Sequence, residues 1–146
     1  MSSSVAGIQL PVNEPCAFCD YLSGRRPFTI LARDDLTATL VTRAQRGVSH
    51  LLVITTRHVP TILGLTDSES DAVGRSLKQA AIAIDNADHR PGISIWQNNG
   101  VDAHQDIPHF HVHVAGTLPG GGTDFGEVRE LSIEETDEIA KHLRGS

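Results

Sequence analysis

The chain has 146 residues, 39% of them hydrophobic and 21% charged, enough apolar material for one ordinary domain to bury a core without covalent staples. Twelve basic residues stand against 18 acidic ones, a net charge of −6. That balance excludes sequence-independent binding to nucleic acid or to an anionic membrane, both of which need a basic surface. A small anion held by local donors stays open.

The opening stretch, MSSSVAGIQLPVNEP, has neither a basic start nor a sustained apolar run. Residues 1–13 therefore read as a disordered lead-in instead of a secretory signal, and residues 14–146 as a single domain. No apolar run approaches bilayer-spanning length, and the protein is expected in the cytoplasm. The two cysteines, Cys16 and Cys19, form a C-A-F-C pair. In a reduced compartment such a pair is half a metal site, a redox dithiol or two ordinary thiols.

FTILAR (28–33) and LTATLV (36–41) are rich in β-formers and flank Asp34–Asp35, the pattern of a hairpin. HLLVIT (50–55) is almost continuously apolar, which predicts a strand buried on both faces. Thr66 with Glu69 makes a capping box, and Val73, Leu77, Ala80, Ala81 and Ile84 recur at helical spacing, so a helix is predicted over about 67–87. GISIWQ (92–97) and HFHVHVAG (109–116) read as strands, joined by the polar NNGVDAHQDIP. GTLPGGGTDFG (116–126) is expected to be a flexible loop. Ser132 and Glu135 make a second capping box that opens a short helix to about 143. The strands bracket the central helix instead of alternating with helices, which favours an α+β domain on an antiparallel sheet of about five strands.

His109, His111 and His113 occupy alternate positions, and only eight histidines occur in the whole chain. On a strand they project from one face while Phe110, Val112 and Val114 enter the core. Same-face neighbours stand about 6.5–7 Å apart, so one phosphate or metal reaches two adjacent rings more readily than three. Neutral imidazole serves as nucleophile, proton carrier or metal ligand. A catalytic metal bound by all three rings stays open, as does a solvated polar face.

The segment HFHVHVA fits the pattern His-φ-His-φ-His-φ-φ, φ being hydrophobic, and resembles the signature of the histidine-triad (HIT) family of nucleotide hydrolases and transferases. CAFCDYLSGRRPFTILARDD, SHLLVITTRHV and NNGVDAHQDIPHFHVHV resemble further family segments, so the likeness runs over about residues 16–116. Among the branches it looks most like the small Hint-type or bacterial HIT proteins. The resemblance implies a homodimer acting on a small nucleotide substrate without an organic cofactor. It implies that His111 attacks the α-phosphorus of a nucleoside phosphoramidate, dinucleoside polyphosphate or related conjugate. A nucleotidyl–imidazole intermediate would follow, which water hydrolyses to a nucleoside monophosphate. A carbonyl bound to His111 Nδ1–H would leave Nε2 free for this. His113 and His50 border the same site, Asn98 and Gln105 align with substrate-contacting residues, and Thr42 falls where an acidic residue commonly grips the ribose. Cys16, Cys19, His58 and His109 match a structural zinc site. His89 and His142 are expected to face solvent.

The chain departs from the family around the substrate. Asp106 replaces a hydroxyl residue, His104 a glycine, and Thr55–Thr56 a Pro-Lys pair. Asp106 and His104 either pair with each other or both face solvent. The rival to an enzyme is a nucleotide-binding or interaction module of the same fold with little or no turnover.

Overall fold

The computed structural model describes residues 4, 5 and 7–145, with side chains from residue 7 onward. Two short strands, β1 (Ser4–Val5) and β2 (Ile8–Gln9), pair antiparallel, so the described part of the expected lead-in carries structure. Asn13 Oδ1 accepts the Ala17 N–H at 3.1 Å and leads into α1 (Ala17–Ser23), a helix the sequence reading left out. Its signal was present: Phe18, Tyr21 and Leu22 share one helix face, and Gly24 closes it in the left-handed conformation, φ +81°.

The sheet follows with β3 (Ile30–Arg33), β4 (Thr37–Val41) and β5 (Val48–Thr55). The β3–β4 turn is held by Asp34 Oδ1, which accepts the N–H groups of Leu36 (2.9 Å) and Thr37 (2.8 Å). Helix α2 (Asp67–Asp88) comes next, then β6 (Ile93–Trp96), β7 (His111–Gly116) and α3 (Ile133–Leu143). Both capping boxes form as read from the sequence: Thr66 with Glu69, and Ser132 with Glu135.

Among the described residues the main sheet has five strands in the order β3-β4-β5-β7-β6, all antiparallel. The α+β expectation therefore holds. Strand β5 is central and almost wholly buried because it is covered on both faces. On one face Val41, Leu51, Val53 and Val114 meet Ala80 and Ile84 of α2 and Ala140 and Leu143 of α3. On the other, Phe18 of α1 covers Ala38, Leu40, Leu52 and Ile54. Each large aliphatic side chain so buried contributes about 1.5–3 kcal/mol. The 116–126 loop is a turn tied back on itself, with Leu118 and Gly122 hydrogen-bonded at 3.0 Å and Asp124 N–H on the Arg46 carbonyl at 2.7 Å. No described helix is long and apolar enough to cross a membrane.

Candidate active site and a thiol–imidazole cluster

Pairing across the sheet decides which residues share the histidine face. Leu52 lies opposite His113, Ile54 opposite His111, and Trp96 opposite His113. Phe110 and Val112 turn the other way, against Val59 and Val73. A register shift between Val48 and Leu51 marks a bulge at Ser49–His50, where Ser49 has φ +58°. The Gln45 side chain brackets this bulge, accepting the His50 N–H at 2.8 Å and donating to the His50 carbonyl at 2.9 Å. His50 is thereby fixed on the triad face, 1% exposed.

The hydrogen bonds then settle each imidazole's tautomer. His111 Nδ1 lies 2.7 Å from the His109 carbonyl, so Nδ1 carries the proton and Nε2 keeps a bare lone pair. The Arg46 backbone N–H donates to His50 Nδ1 at 3.1 Å, which puts the His50 proton on Nε2. That N–H faces His113 Nδ1 at 2.9 Å, and His113 consequently presents its own N–H from Nε2. Trp96 stacks on the His113 ring at 4.7 Å between centroids and 3° between planes. Burial holds both rings neutral: it pushes His50 down to about 4, with the Arg46 charge adding, and His113 down to about 3, with His111, His50 and Arg46 adding. Burial likewise lowers His111, against its bond to the His109 carbonyl and the Asp106 charge.

These rings form the floor of an open cleft. Phe18, Tyr21 and Phe28 make an aromatic wall, Tyr21 and Phe28 stacked at 3.9 Å, while Thr42, Arg43, Arg46 and Glu130 line its polar flank. The segment carrying Glu130 is held there by an isolated bridge between Ala44 and Glu130. Asp106 stands at the mouth, Oδ1 3.8 Å from His111 Nε2, with its side chain 83% exposed.

His111, His113, His50 and Thr42 thus come together as the sequence suggested, whereas Asn98 and Gln105 do not. Asn98 lines the neighbouring concavity beyond Trp96, with His104 and Phe125. Gln105 is 4% exposed and spent on backbone: Oε1 accepts the Gly100 N–H at 2.7 Å, and Nε2 donates to the carbonyls of Pro60 (2.8 Å) and Ile107 (3.0 Å). A side-chain amide with those three bonds clamps the loop, and it does not line the cleft with His111. Trp96, Arg46 and Gln45 were missed because their roles run through backbone groups and ring stacking; a lone tryptophan on a strand was the one available hint. His104 and Asp106 do not pair with each other. His89 is exposed as expected, while His142, half exposed, donates from Nε2 to Asp88 Oδ1 at 2.7 Å.

His109 faces elsewhere. Its Nε2 meets the Thr55 carbonyl at 2.7 Å, leaving the Nδ1 lone pair toward Cys16 Sγ at 3.5 Å and Cys19 Sγ at 3.6 Å. His58 Nδ1 lies 3.3 Å from Cys19 Sγ, and the four ligand atoms sit within 4.8 Å of one another. Tetrahedral zinc, with Zn–S about 2.3 Å and Zn–N about 2.0–2.1 Å, separates sulfur from nitrogen by about 3.6 Å, so this donor set fits the ion. Burial, then the Cys16 side chain and the Asp20 charge, push the Cys19 thiol up to about 11, with the Arg25 charge opposing. The triad is divided between two places: His109 serves the thiols, while His111 and His113 serve the cleft.

Fold and site together define an α+β domain whose histidine strand floors a cleft with one uncommitted imidazole nitrogen. The chain belongs to the HIT domain family, whose model matches residues 23–119. It is 33% identical over 121 residues to a Schizosaccharomyces pombe bis(5'-nucleosyl)-tetraphosphatase (asymmetrical), covering 80% of this chain and 65% of that one. It is 28% identical over 111 residues to the adenosine 5'-monophosphoramidase hnt1 of the same yeast, covering 76% and 78%. A solved Hit-like protein from Bartonella henselae superposes with TM-score 0.83 at 20% identity over 92% of this chain and 98% of that one. A Zn-bound histidine triad family protein from Mycobacterium smegmatis gives TM-score 0.76 at 23% identity, covering 90% and 94%.

Proposed function

We propose that the protein is a nucleotide hydrolase or transferase that forms a bond from His111 Nε2 to the α-phosphorus of a nucleoside phosphoramidate, dinucleoside polyphosphate or related conjugate. The observation that carries this reading is the 2.7 Å contact between His111 Nδ1 and the His109 carbonyl, which leaves Nε2 as a lone pair at the cleft. His113 is neutral, and its Nε2–H is a hydrogen-bond donor for a phosphoryl oxygen, a fixed dipole already oriented by His50 and Trp96. The aromatic wall suits a nucleobase, and Thr42 stands beside it for the ribose. The names of the two yeast relatives support nucleotide hydrolysis as the general chemistry.

We assign zinc to Cys16, Cys19, His58 and His109, in keeping with the Zn-bound neighbour, in a structural role that ties α1 to the entry of β7. Residues 14–146 are read as one domain acting as a homodimer in the cytoplasm. Ile95 (52% exposed) and Phe125 (81%) beside the outer strand β6 support the dimer, and the two free thiols suit a reducing compartment. The decisive experiment follows AMP release from an adenosine phosphoramidate. Wild type is expected to turn over and His111→Ala to fall by about a thousandfold or more. Wild-type release no faster than that of the variant would leave only the binding-module reading.

A further inference from the structure

A carboxylate beside a phosphate-directed nucleophile is the feature of this cleft that the hydrolase reading leaves unused. Asp106 Oδ1 lies 3.8 Å from the bare Nε2 of His111, and no arginine or lysine stands within ion-pair distance of it among the described residues. Its side chain is 83% exposed, so the carboxylate stands at the mouth instead of being neutralised inside. Phosphorus bonded to Nε2 lies within about 6 Å of it for any approach, inside the screening length of roughly 8 Å at physiological salt.

We infer that Asp106 sets leaving-group specificity, favouring a nucleoside phosphoramidate with an amine leaving group over a dinucleoside polyphosphate; this rests on the proposed attack by His111. The α-phosphate is common to both substrates, so its repulsion by Asp106 cancels in the comparison. The leaving groups differ in charge. A departing polyphosphate brings further negative charge to a carboxylate, which a neutral amine does not. Arg43 and Arg46 line the same cleft, Arg43 with Nε on the Leu131 carbonyl (2.6 Å) and Nη1 3.9 Å from Glu130, Arg46 with Nη1 on the carbonyls of Gly126 (2.6 Å) and Asp124 (3.2 Å); their charge serves the α-phosphate common to both substrates. The two lysines of the chain, Lys78 and Lys141, lie exposed on α2 and α3.

For the amine the charges agree. The phosphoramidate nitrogen takes up one proton from bulk solvent, and its N–H groups become donors to Asp106. The Nε2–P bond then forms as the P–N bond breaks, the electron pair leaving with nitrogen as a neutral amine. The imidazole becomes a phosphorylated imidazolium, Nδ1–H still on the His109 carbonyl, with the Asp106 carboxylate as counter-charge. Water next adds to phosphorus and releases one proton to solvent. The P–Nε2 bond breaks, and the lone pair returns to His111 with the nucleoside monophosphate freed.

The test compares kcat/KM for AMP release from an adenosine 5'-phosphoramidate of a primary alkylamine and from diadenosine tetraphosphate, in wild type, Asp106→Asn and Asp106→Ser. Thermal melts check that each exposed-site variant is folded. Wild type is expected to prefer the amide. Both variants should lower the amide-to-polyphosphate ratio by about tenfold or more, and high salt should shrink the wild-type preference. A ratio that stays within about twofold in both variants overturns the inference. So does Mg²⁺ raising the wild-type polyphosphate rate above the amide rate, since the carboxylate would then be bridging a cation. A wild type silent on both substrates removes the hydrolase reading and this inference with it. An active wild type with an unmoved ratio removes this inference alone.

Discussion

Replacing Gln105 by alanine separates a structural clamp from a substrate contact. The side chain makes three hydrogen bonds to backbone groups of three segments: Gly100 N–H, the Pro60 carbonyl and the Ile107 carbonyl, at 2.7–3.0 Å. It is 4% exposed, so water does not readily replace it. At about 1 kcal/mol net for each bond the loss is about 3 kcal/mol, and more if the three backbone groups stay dry and unpartnered. Urea unfolding at constant m-value measures this directly. The variant should unfold at lower urea, and kcat should fall with it because Asp106 and the entry to β7 follow the clamp in the chain. KM for nucleotide should change less than kcat. A variant whose stability stays within about 0.5 kcal/mol of wild type while KM rises tenfold would refute the clamp and restore a direct substrate contact.

Two further outcomes follow from the same geometry. Purified protein should hold one zinc per chain; stripping it with a strong chelator, or Cys19→Ser, should cost about 2–3 kcal/mol and lower the melting temperature by about 5–10 °C, and unchanged melting would sink the zinc assignment. His50 and His113 are held neutral in the folded protein, at about 4 and about 3, against 6.5 for a free imidazole side chain. The unfolded chain therefore binds their protons first as pH falls. Stability should be independent of these two rings above pH 6.5 and decline below it, by up to about 1.4 kcal/mol per pH unit for each ring, until pH reaches their folded values. Chemical denaturation between pH 7.5 and 4.5 should show that decline, reduced in His50→Gln; a flat profile would mean that the rings are charged in the fold.

Much of the architecture was legible because it rests on local rules. The capping boxes at Thr66 and Ser132 and the apolar spacing of α2 located both long helices to within a residue or so. Continuous burial of β5 followed from its unbroken apolar run. Helix α1 was passed over although Phe18, Tyr21, Leu22 and the Gly24 cap signal it, because seven residues span barely two turns and its packing partner, the sheet face at Leu40 and Leu52, is remote in sequence. The backbone partners of Gln105 were hidden for a similar reason. A glutamine next to a histidine strand has the same residue type whether it meets substrate or backbone, and only its three distant partners decide between them.

What the amino-acid order determined alone was the alternation that sends His109, His111 and His113 to one side of a strand and Phe110, Val112 and Val114 to the other, since side chains on extended backbone change face at every residue. For His109 and His113, which ring nitrogen is free was settled only by folding. The partners that fix those protons, Thr55 for His109, and Arg46 and His50 for His113, come from other strands and turns, and the thiols that claim His109 lie 93 and 90 residues away. An imidazole's chemistry depends on which of its two nitrogens is bonded, and for His109 and His113 that is set by tertiary contact.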